Sequence, residues 1–506
     1  MEAVLQIDHI TKATLISWSA ETDELILRYL NPKIEERINR IASIPGAMVN
    51  GLVAKLKACG VKFKIPKENL ELKERQDWWD DRLREGSSLF TDQEIVETLE
   101  NIDLELRSIQ TEALIKCLRG HITLLSAICG SGKTLTMFMA IQLLKWKFKK
   151  GLKAIIVAPN TVTSEYQKEL VKFGSYLDLT IDDLSNEKDF EIKCRLEFSS
   201  ADILVLPISK VHKFSDEIRE MLKSVEGEGV LVVDEGHSIK NVTSRVSRHI
   251  QSIAPFSSRV IIMSATPLPL GAKDVRGYLS TVTSPLPEQF YKNGIPDRDY
   301  SLLSGITFVS GEDDLSYAEV EKVKVTYDSE EDLQRIMKKE VYSELEQGKK
   351  VVIFCSTNAS MENIYNTFKG VGRTVLSGSF AVEDCENEIL QCGRSSELQQ
   401  KAISQFNGDK RCKILIANYR VGSTGLNLQH SGARLAFFAE ITTNGADFFQ
   451  SKYRIRRPYI FPEGGFRYVY AIPSDIRGKR RASRQFTKLE SQQNVLEDIK
   501  LRSKRS

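Results

Sequence analysis

Ala127-Ile128-Cys129-Gly130-Ser131-Gly132-Lys133-Thr134 stands between an apolar run, Ile122 to Ala127, and an amphipathic run, Leu135 to Lys150, that Gly151 would end. Strand, glycine loop and helix in that order make the setting of a loop that holds nucleotide phosphates. Gly130 and Gly132 let the backbone N–H groups of Cys129 to Thr134 approach anionic oxygens, and the helix N-terminus adds partial positive charge. Lys133 would neutralise the β/γ-phosphates of ATP, and the Thr134 hydroxyl would ligate Mg²⁺. Position 127 is Ala where the general pattern has Gly. Taken alone, a strand-to-helix turn that merely contains glycines remains the alternative.

About a hundred residues further on, Leu231-Val232-Val233-Asp234-Glu235-Gly236-His237 places two carboxylates at the end of a buried strand. Asp234 would hold Mg²⁺ through its water shell, and Glu235 would orient and deprotonate a water that attacks the γ-phosphate. Acidic pairs at strand ends are common, but behind a phosphate loop the combination is specific.

The chain has 506 residues, enough for about three units. Lys+Arg 71 against Asp+Glu 68 leaves a net charge of +3, so a nucleic-acid surface has to be a local patch. The eight cysteines show no C-x-x-C pair and read as reduced thiols of an intracellular protein. No apolar run approaches the roughly 20 residues of a membrane span. The first residues, with Glu2 and Asp8, lack a signal-peptide core, so a soluble protein with no membrane partner is expected.

Residues 1–90 read as a small α+β domain with a possible DNA-binding role. Thr14 to Ser19 and Glu24 to Leu30 suggest a hairpin; Met48 to Leu56 has helical spacing, and Val61, Phe63 and Ile65 alternate like a strand. Trp78-Trp79 is expected to pack a linker against a domain rather than to stack on bases. Residues 91–320 form the first motor domain, with strands at Ile122 to Ala127, Ala154 to Ala158, Ile203 to Leu206, Val230 to Val233 and Val260 to Met263. Each is a short continuous apolar run, as a parallel sheet covered on both faces requires. After about Gly271, some fifty residues rich in Pro, Gly, Ser and Asp read as a connector. A second series in residues 321–476 runs Val351 to Cys355, Thr374 to Leu376, Ile414 to Ala417, Leu435 to Phe438 and Tyr468 to Ile472. In the basic tail 477–506, Arg477, Lys479, Arg480, Arg481 and Arg484 suit either a solvated, mobile end or a phosphate-backbone contact.

Over residues 103 to 473 the chain resembles the superfamily 2 helicases and translocases. Leu106-Arg107-x-x-Gln110 resembles the segment that reads adenine, which implies that Gln110 contacts the base. Ala158-Pro159-Asn160 resembles motif Ia and Ser264-Ala265-Thr266-Pro267 motif III. Val352-Ile353-Phe354-Cys355 with Gln405-Phe406 resembles the opening of the second motor domain. Gly422 to Leu428 resembles motif V, implying Gly425 at the nucleotide, and Gln450-x-x-x-Arg454-x-x-Arg457 resembles motif VI. The resemblance implies two tandem RecA-like doubly wound parallel-sheet domains (fold class α/β), with ATP and Mg²⁺ between them. It further implies that Arg454 and Arg457 stabilise charge developing on the γ-phosphoryl group, and that His237 couples the ATP site to motif III. Three residues apart, the two arginines would share one helical face.

Asp-Glu-Gly-His, Gly-Leu-Asn-Leu and Leu-Arg-x-x-Gln are similar to the Snf2-like group, which moves along duplex DNA. Motif III departs from that group's Thr-Gly-Thr, motif VI lacks its His-Arg-Ile-Gly ending, and the segment between motifs III and IV is short. This favours a compact motor similar to bacteriophage or fork-remodelling DNA helicases, in a bacterium or a phage-infected cell. Its partner would be duplex or branched DNA, and its task fork regression or branch migration. An RNA helicase or a factor that displaces a DNA-bound protein is the alternative.

Overall fold

In a computed structural model, the chain is described at four strands within residues 3–64, at 74, 78–79 and 82–83, and over 90–377 and 396–503. The last two stretches have short gaps at 101–103, 149–150, 161, 225–227, 269–271, 284–287, 293, 423–427, 429–430 and 463.

The N-terminal strands β1 (Ala3–His9), β2 (Lys12–Ile16), β3 (Ile41–Pro45) and β4 (Phe63–Lys64) form a sheet in the order β3-β2-β1-β4. β1 and β2 pair as antiparallel neighbours, with Val4 opposite Ile16, and β2 pairs antiparallel with β3 on its other side. Glu24 to Leu30 and the helical spacing at 48–56 lie outside the described residues. Trp79 is fully buried against the first lobe, edge-on to His121 at 6.4 Å, which agrees with the packing role expected of it.

Seven strands follow: β5 (Ile122–Ala127), β6 (Lys153–Ala158), β7 (Ile181–Asp183), β8 (Ile203–Pro207), β9 (Gly229–Val233), β10 (Arg259–Ser264) and β11 (Thr307–Ser310). They form one parallel sheet in the order β11-β5-β10-β9-β6-β8-β7. Successive side chains leave a strand on opposite faces. Leu125, Ile156, Val232 and Ile261 accordingly enter one core, and Leu124, Ile155, Leu231 and Ile262 the other. Two covered faces explain why these strands read as unbroken apolar runs.

The expected connector is instead part of this lobe. Val275–Leu279 and Asp297–Ile306 are helices whose Tyr278 and Leu303 join the core beneath β9 and β10, and β11 pairs in parallel with β5. Its elements are too short for a periodic pattern to build.

The second lobe has β12 (Val320–Tyr327), β13 (Lys350–Cys355), β14 (Arg373–Leu376), β15 (Ile414–Asn418), β16 (Ala433–Phe438) and β17 (Phe466–Pro473). These are again all parallel, in the order β12-β17-β16-β13-β15-β14. The chain therefore has two parallel-sheet α/β lobes of the RecA-like kind.

The basic stretch expected as a tail is helical over its described residues. Ile476–Ser503 is one helix of 28 residues. Near its start Ala482 is buried in the second lobe's core, and Phe486 meets Tyr470 at 5.6 Å. Toward its end Ile499, 1% exposed, enters the first lobe's core with Val495 and Leu496. There Asp498 accepts from the Tyr300 hydroxyl at 2.5 Å, and Lys500 pairs with Asp314. From Phe486 to Ile499 the helix covers about 20 Å at 1.5 Å per residue, tying one lobe to the other.

Candidate active site between the lobes

The glycine loop turns from β5 into the helix Lys133–Lys147, shorter than expected at its C-terminal end, where Phe148 caps it. Gly130 and Gly132 have φ of +87° and +91°, the left-handed region that favours glycine. A Cβ on Gly132 would overlap the Gln110 amide, and one on Gly130 would overlap the Pro458 ring. Gln110 thus rests against the loop, while its Oε1 accepts from the Arg107 backbone N–H at 3.0 Å. Pro458 arrives from the second lobe. Lys133 Nζ donates to the Ala127 and Ile128 carbonyls at 2.6 and 3.3 Å, which holds the ammonium over the loop. Ser131 Oγ is buried without a protein partner, an orphaned polar atom within the loop that a bound phosphate would satisfy.

At the end of β9, the Asp234 backbone N–H donates to Val157 O and prolongs the ladder by one residue. Its carboxylate then accepts from Tyr166 Oη at 2.5 Å and from the Glu235 backbone N–H at 2.8 Å. Glu235 itself has φ 49° and ψ 55°, a left-handed conformation that a residue other than glycine holds at a cost. Gly236 is required because a Cβ there would overlap Ile262. His237 Nδ1 lies 3.2 Å from Glu235 Oε2.

The two carboxylates titrate apart. Burial and the charge of Glu235 push Asp234 up. Burial also pushes Glu235 up, but the hydrogen bond and charge of His237, with the charges of Lys133 and Arg454, outweigh it and hold Glu235 below its ordinary value. Glu235 is thus the member of the pair that stays ionised. A divalent cation beside Asp234 would oppose that upward push.

The second lobe contributes the end of the helix Gly445–Lys452 and the turn after it. Gln450, fully buried, donates through Nε2 to Glu235 Oε2 at 2.8 Å across the cleft. Arg454 is 4% exposed, and its charge reaches Glu235. Arg457 lies beside Gly130, and burial together with the charge of Arg454 pushes it below its ordinary value. Two guanidiniums within electrostatic reach of each other, beside a loop of the phosphate-holding kind, fit a triphosphate. Arg456 turns the other way, donating to Ala318 O at 2.9 Å and stacking on Tyr317 at 4.7 Å.

The shared helical face expected for Arg454 and Arg457 does not exist. The helix stops at Lys452, and both arginines follow it. Pro458 has no N–H to continue the ladder, and it disfavours the helical region for Arg457. The arginines reach the site from an irregular segment pinned by Tyr459 N–H on Ser316 O at 2.7 Å.

A small apolar cluster seals the cleft: Ile109, Ile128, Cys129 and Ala265 from the first lobe, with Leu315 and Tyr453. Tyr317 Oη donates to Cys129 O at 3.0 Å. Ala265 of the Ser-Ala-Thr-Pro segment thus shares one apolar cluster with the loop and with Tyr453 of the opposite lobe. At the C-terminal end of β6, Asn160 Oδ1 accepts from Ser209 Oγ at 2.9 Å.

The structure thus brings together Gln110, Cys129, Gly130, Ser131, Gly132, Lys133, Thr134, Asp234, Glu235, Arg454 and Arg457. Gly425 lies outside the described residues. Sequence reasoning gave no role to Tyr166, Tyr317 or Pro458. It quoted Gln450 only as the first letter of a motif.

The DEAD/DEAH box helicase family model matches residues 107–274, and the helicase conserved C-terminal domain model matches residues 331–458. No curated protein matches the chain. Among solved structures, the chain is similar to S. cerevisiae Dbp5 bound to RNA and ADP BeF3, at 13% identity and a TM-score of 0.54, covering 80% of this chain and 97% of that one. That likeness is one of fold. No helix among the described residues is long and apolar enough to cross a membrane. The two helicase models fall one on each parallel-sheet lobe, and the groups at the ATP-type site come from both; the chain belongs to the superfamily 2 helicases and is a nucleic-acid-dependent ATPase.

Proposed function

We propose that the chain is an ATP-driven motor in which cleft closure completes the hydrolytic site. The observation that carries this reading is the hydrogen bond from Gln450 to Glu235, with Arg454 close enough to bias the same carboxylate. The loop N–H groups and Lys133 bind the triphosphate, and Gln110 contacts the base, as its likeness to the adenine-reading segment implies. Glu235, ionised and oriented by His237 and Gln450, holds the attacking water and receives its proton. Arg454 and Arg457 offset charge that builds on the transferred phosphoryl oxygens. Mg²⁺ held by Asp234 and Thr134 would supply charge neutralisation at the phosphates. With arginines on one lobe and carboxylates on the other, hydrolysis is linked to opening and closing of the cleft, and hence to the grip on a nucleic-acid track.

For the track, the comparisons support RNA better than DNA: the matched first-domain model is the DEAD/DEAH box family, and Dbp5 was solved on RNA. Duplex-DNA translocation is the second reading, favoured by the Asp-Glu-Gly-His and Gly-Leu-Asn-Leu spellings. Fork regression and branch migration rest on the departures from the Snf2-like group in motifs III and VI and on the short segment between motifs III and IV. The test is ATPase stimulation by RNA, duplex DNA, single-stranded DNA and a fork, measured side by side. Stimulation by RNA alone removes the DNA reading, stimulation by duplex DNA alone removes the RNA reading, and stimulation by none removes the motor.

A further inference from the structure

The last helix opens with cations that the cleft chemistry does not use. At 100° per residue, Arg477, Arg480, Arg481 and Arg484 fall within an arc of about 100°. Ala482, Gln485 and Phe486, which pack on the second lobe, lie on another side. All four arginines are exposed. Elsewhere on the surface arginines hold carboxylates: Arg335 with Asp332, Arg411 with Asp409, Arg467 with Glu321 and Glu340. None of the four makes an ion pair among the described residues. Asp475 accepts from the backbone N–H groups of Arg477 and Gly478 at 2.8 and 2.9 Å and so serves the helix start; the charges of Arg477 and Arg481 reach it without forming an ion pair.

Placed there, the arginines oppose one another and the helix. No acidic residue stands in the first turn. Cations near a helix N-terminus face its partial positive charge. Arg477 with Arg480, Arg477 with Arg481 and Arg480 with Arg484 are like charges three or four apart. The helix start is nonetheless firmly seated, for a Cβ on Gly478 would press into Pro473. It begins just past the end of β17, at the C-terminal edge of the parallel sheet, where open α/β folds bind ligands.

We propose that this face is a phosphate-backbone contact outside the cleft, a second grip on the nucleic acid that the helicase reading calls for. From Arg477 to Arg484 is about 10 Å along the helix, the rise of roughly three nucleotides of one strand. A membrane surface would also want an apolar face beside the cations, and this helix spends its apolar face on the second lobe. Because the same helix ends in the first lobe's core, a grip at its start acts on the element that ties the lobes.

The test is a full-length variant carrying Arg477→Gln, Arg480→Gln, Arg481→Gln and Arg484→Gln, with a matching all-Lys variant. Binding of labelled duplex and single-stranded RNA and DNA is followed by anisotropy over a range of salt. The Gln variant should keep its melting temperature and its ATPase without nucleic acid. Its log K against log salt slope should fall by about 2 to 4, with affinity down about tenfold or more, and the all-Lys variant should retain both. Unchanged slope and affinity in the Gln variant, beside a wild type that binds, overturns the inference and leaves the helicase reading standing. Loss of binding to phosphatidylserine vesicles with nucleic-acid binding intact overturns it too. A wild type that binds none of the four nucleic acids overturns the helicase reading itself.

Discussion

The two lobes share a sheet plan and differ in how they present the chemistry. The first lobe uses loops at strand ends whose backbone is forced: Gly130, Gly132 and Glu235 all take positive φ. It gathers a lysine and two carboxylates within electrostatic reach of one another. Among the described residues, no carboxylate of the second lobe acts on the site's charged groups. That lobe offers Gln450, Arg454 and Arg457 from the end of one helix and the turn beyond it. A nucleotide site that opposes its charges in this way is complete only when the lobes meet.

The sharpest way to break that comparison is in the first lobe. Lys133→Ala or Glu235→Gln should lower the ATPase rate by at least about 10³-fold, because each removes a charge that the developing phosphoryl charge or the attacking water requires. Nucleic-acid binding without ATP should change little. Steady-state ATPase beside a binding titration checks both, and near-normal turnover in either variant would sink the roles given to them.

On the second lobe, Arg454→Ala should cost on the order of 10³-fold in kcat with a smaller change in ATP affinity, as expected of a charge that acts on the transition state. Gln450→Ala should cost less, about tenfold, since it orients Glu235 and carries no charge. If Gln450→Ala costs as much as Arg454→Ala, the cross-cleft bond holds the lobes together and does not merely aim a carboxylate. Single-turnover ATPase separates the two.

The same contrast explains what could be read along the chain. Strands buried on both faces, such as Leu231 to Val233 or Ile353 and Phe354, show as apolar runs. β12 was missed because Glu321-Lys322-Val323-Lys324-Val325 alternates, as an edge strand with one open side does. β7 and β11 are three and four residues long and leave no pattern. At the site, residue types and spacing picked out Lys133, Asp234 and Glu235 because the loop and strand end are local. Tyr166 and Gln450 lie 68 and 215 residues from the carboxylates they bind, beyond any spacing rule. Arg454 and Arg457 share no helical face because the helix ends at Lys452 and Pro458 keeps Arg457 out of the helical region, an effect legible in the sequence itself.

Tying the lobes together is a smaller effect, and one on stability. Ile499→Ala removes a fully packed side chain from the first lobe's core, a change worth about 2 to 4 kcal/mol at such sites. The calorimetric transition of that lobe should fall by roughly 5 to 10 °C, with the second lobe unmoved. A change confined to the second lobe's transition would mean the helix end is not docked where Tyr300 and Lys500 hold it.

The smallest expected effect separates the lobes by pH. Burial, with the nearby charge of Arg259, pushes His121 down to about 4, although the ring shares a contact with Ser258 O at 3.2 Å. The folded first lobe therefore keeps this ring neutral, while the unfolded chain takes up a proton near pH 6.5. Because the unfolded state binds more protons in that interval, stability is full above about 6.5 and is lost as pH falls toward about 4. The ring is partly open to water, and screening reduces the loss to about 1 kcal/mol. Trp78 and Trp79, with ring centroids at 5.6 and 6.4 Å, report the lobe's unfolding by fluorescence. Between pH 7.5 and 5, the urea midpoint of this signal should drop further in the wild type than in His121→Asn. Equal drops would show that the histidine is as exposed when folded as when unfolded, and that the Trp-containing segment is not packed over it.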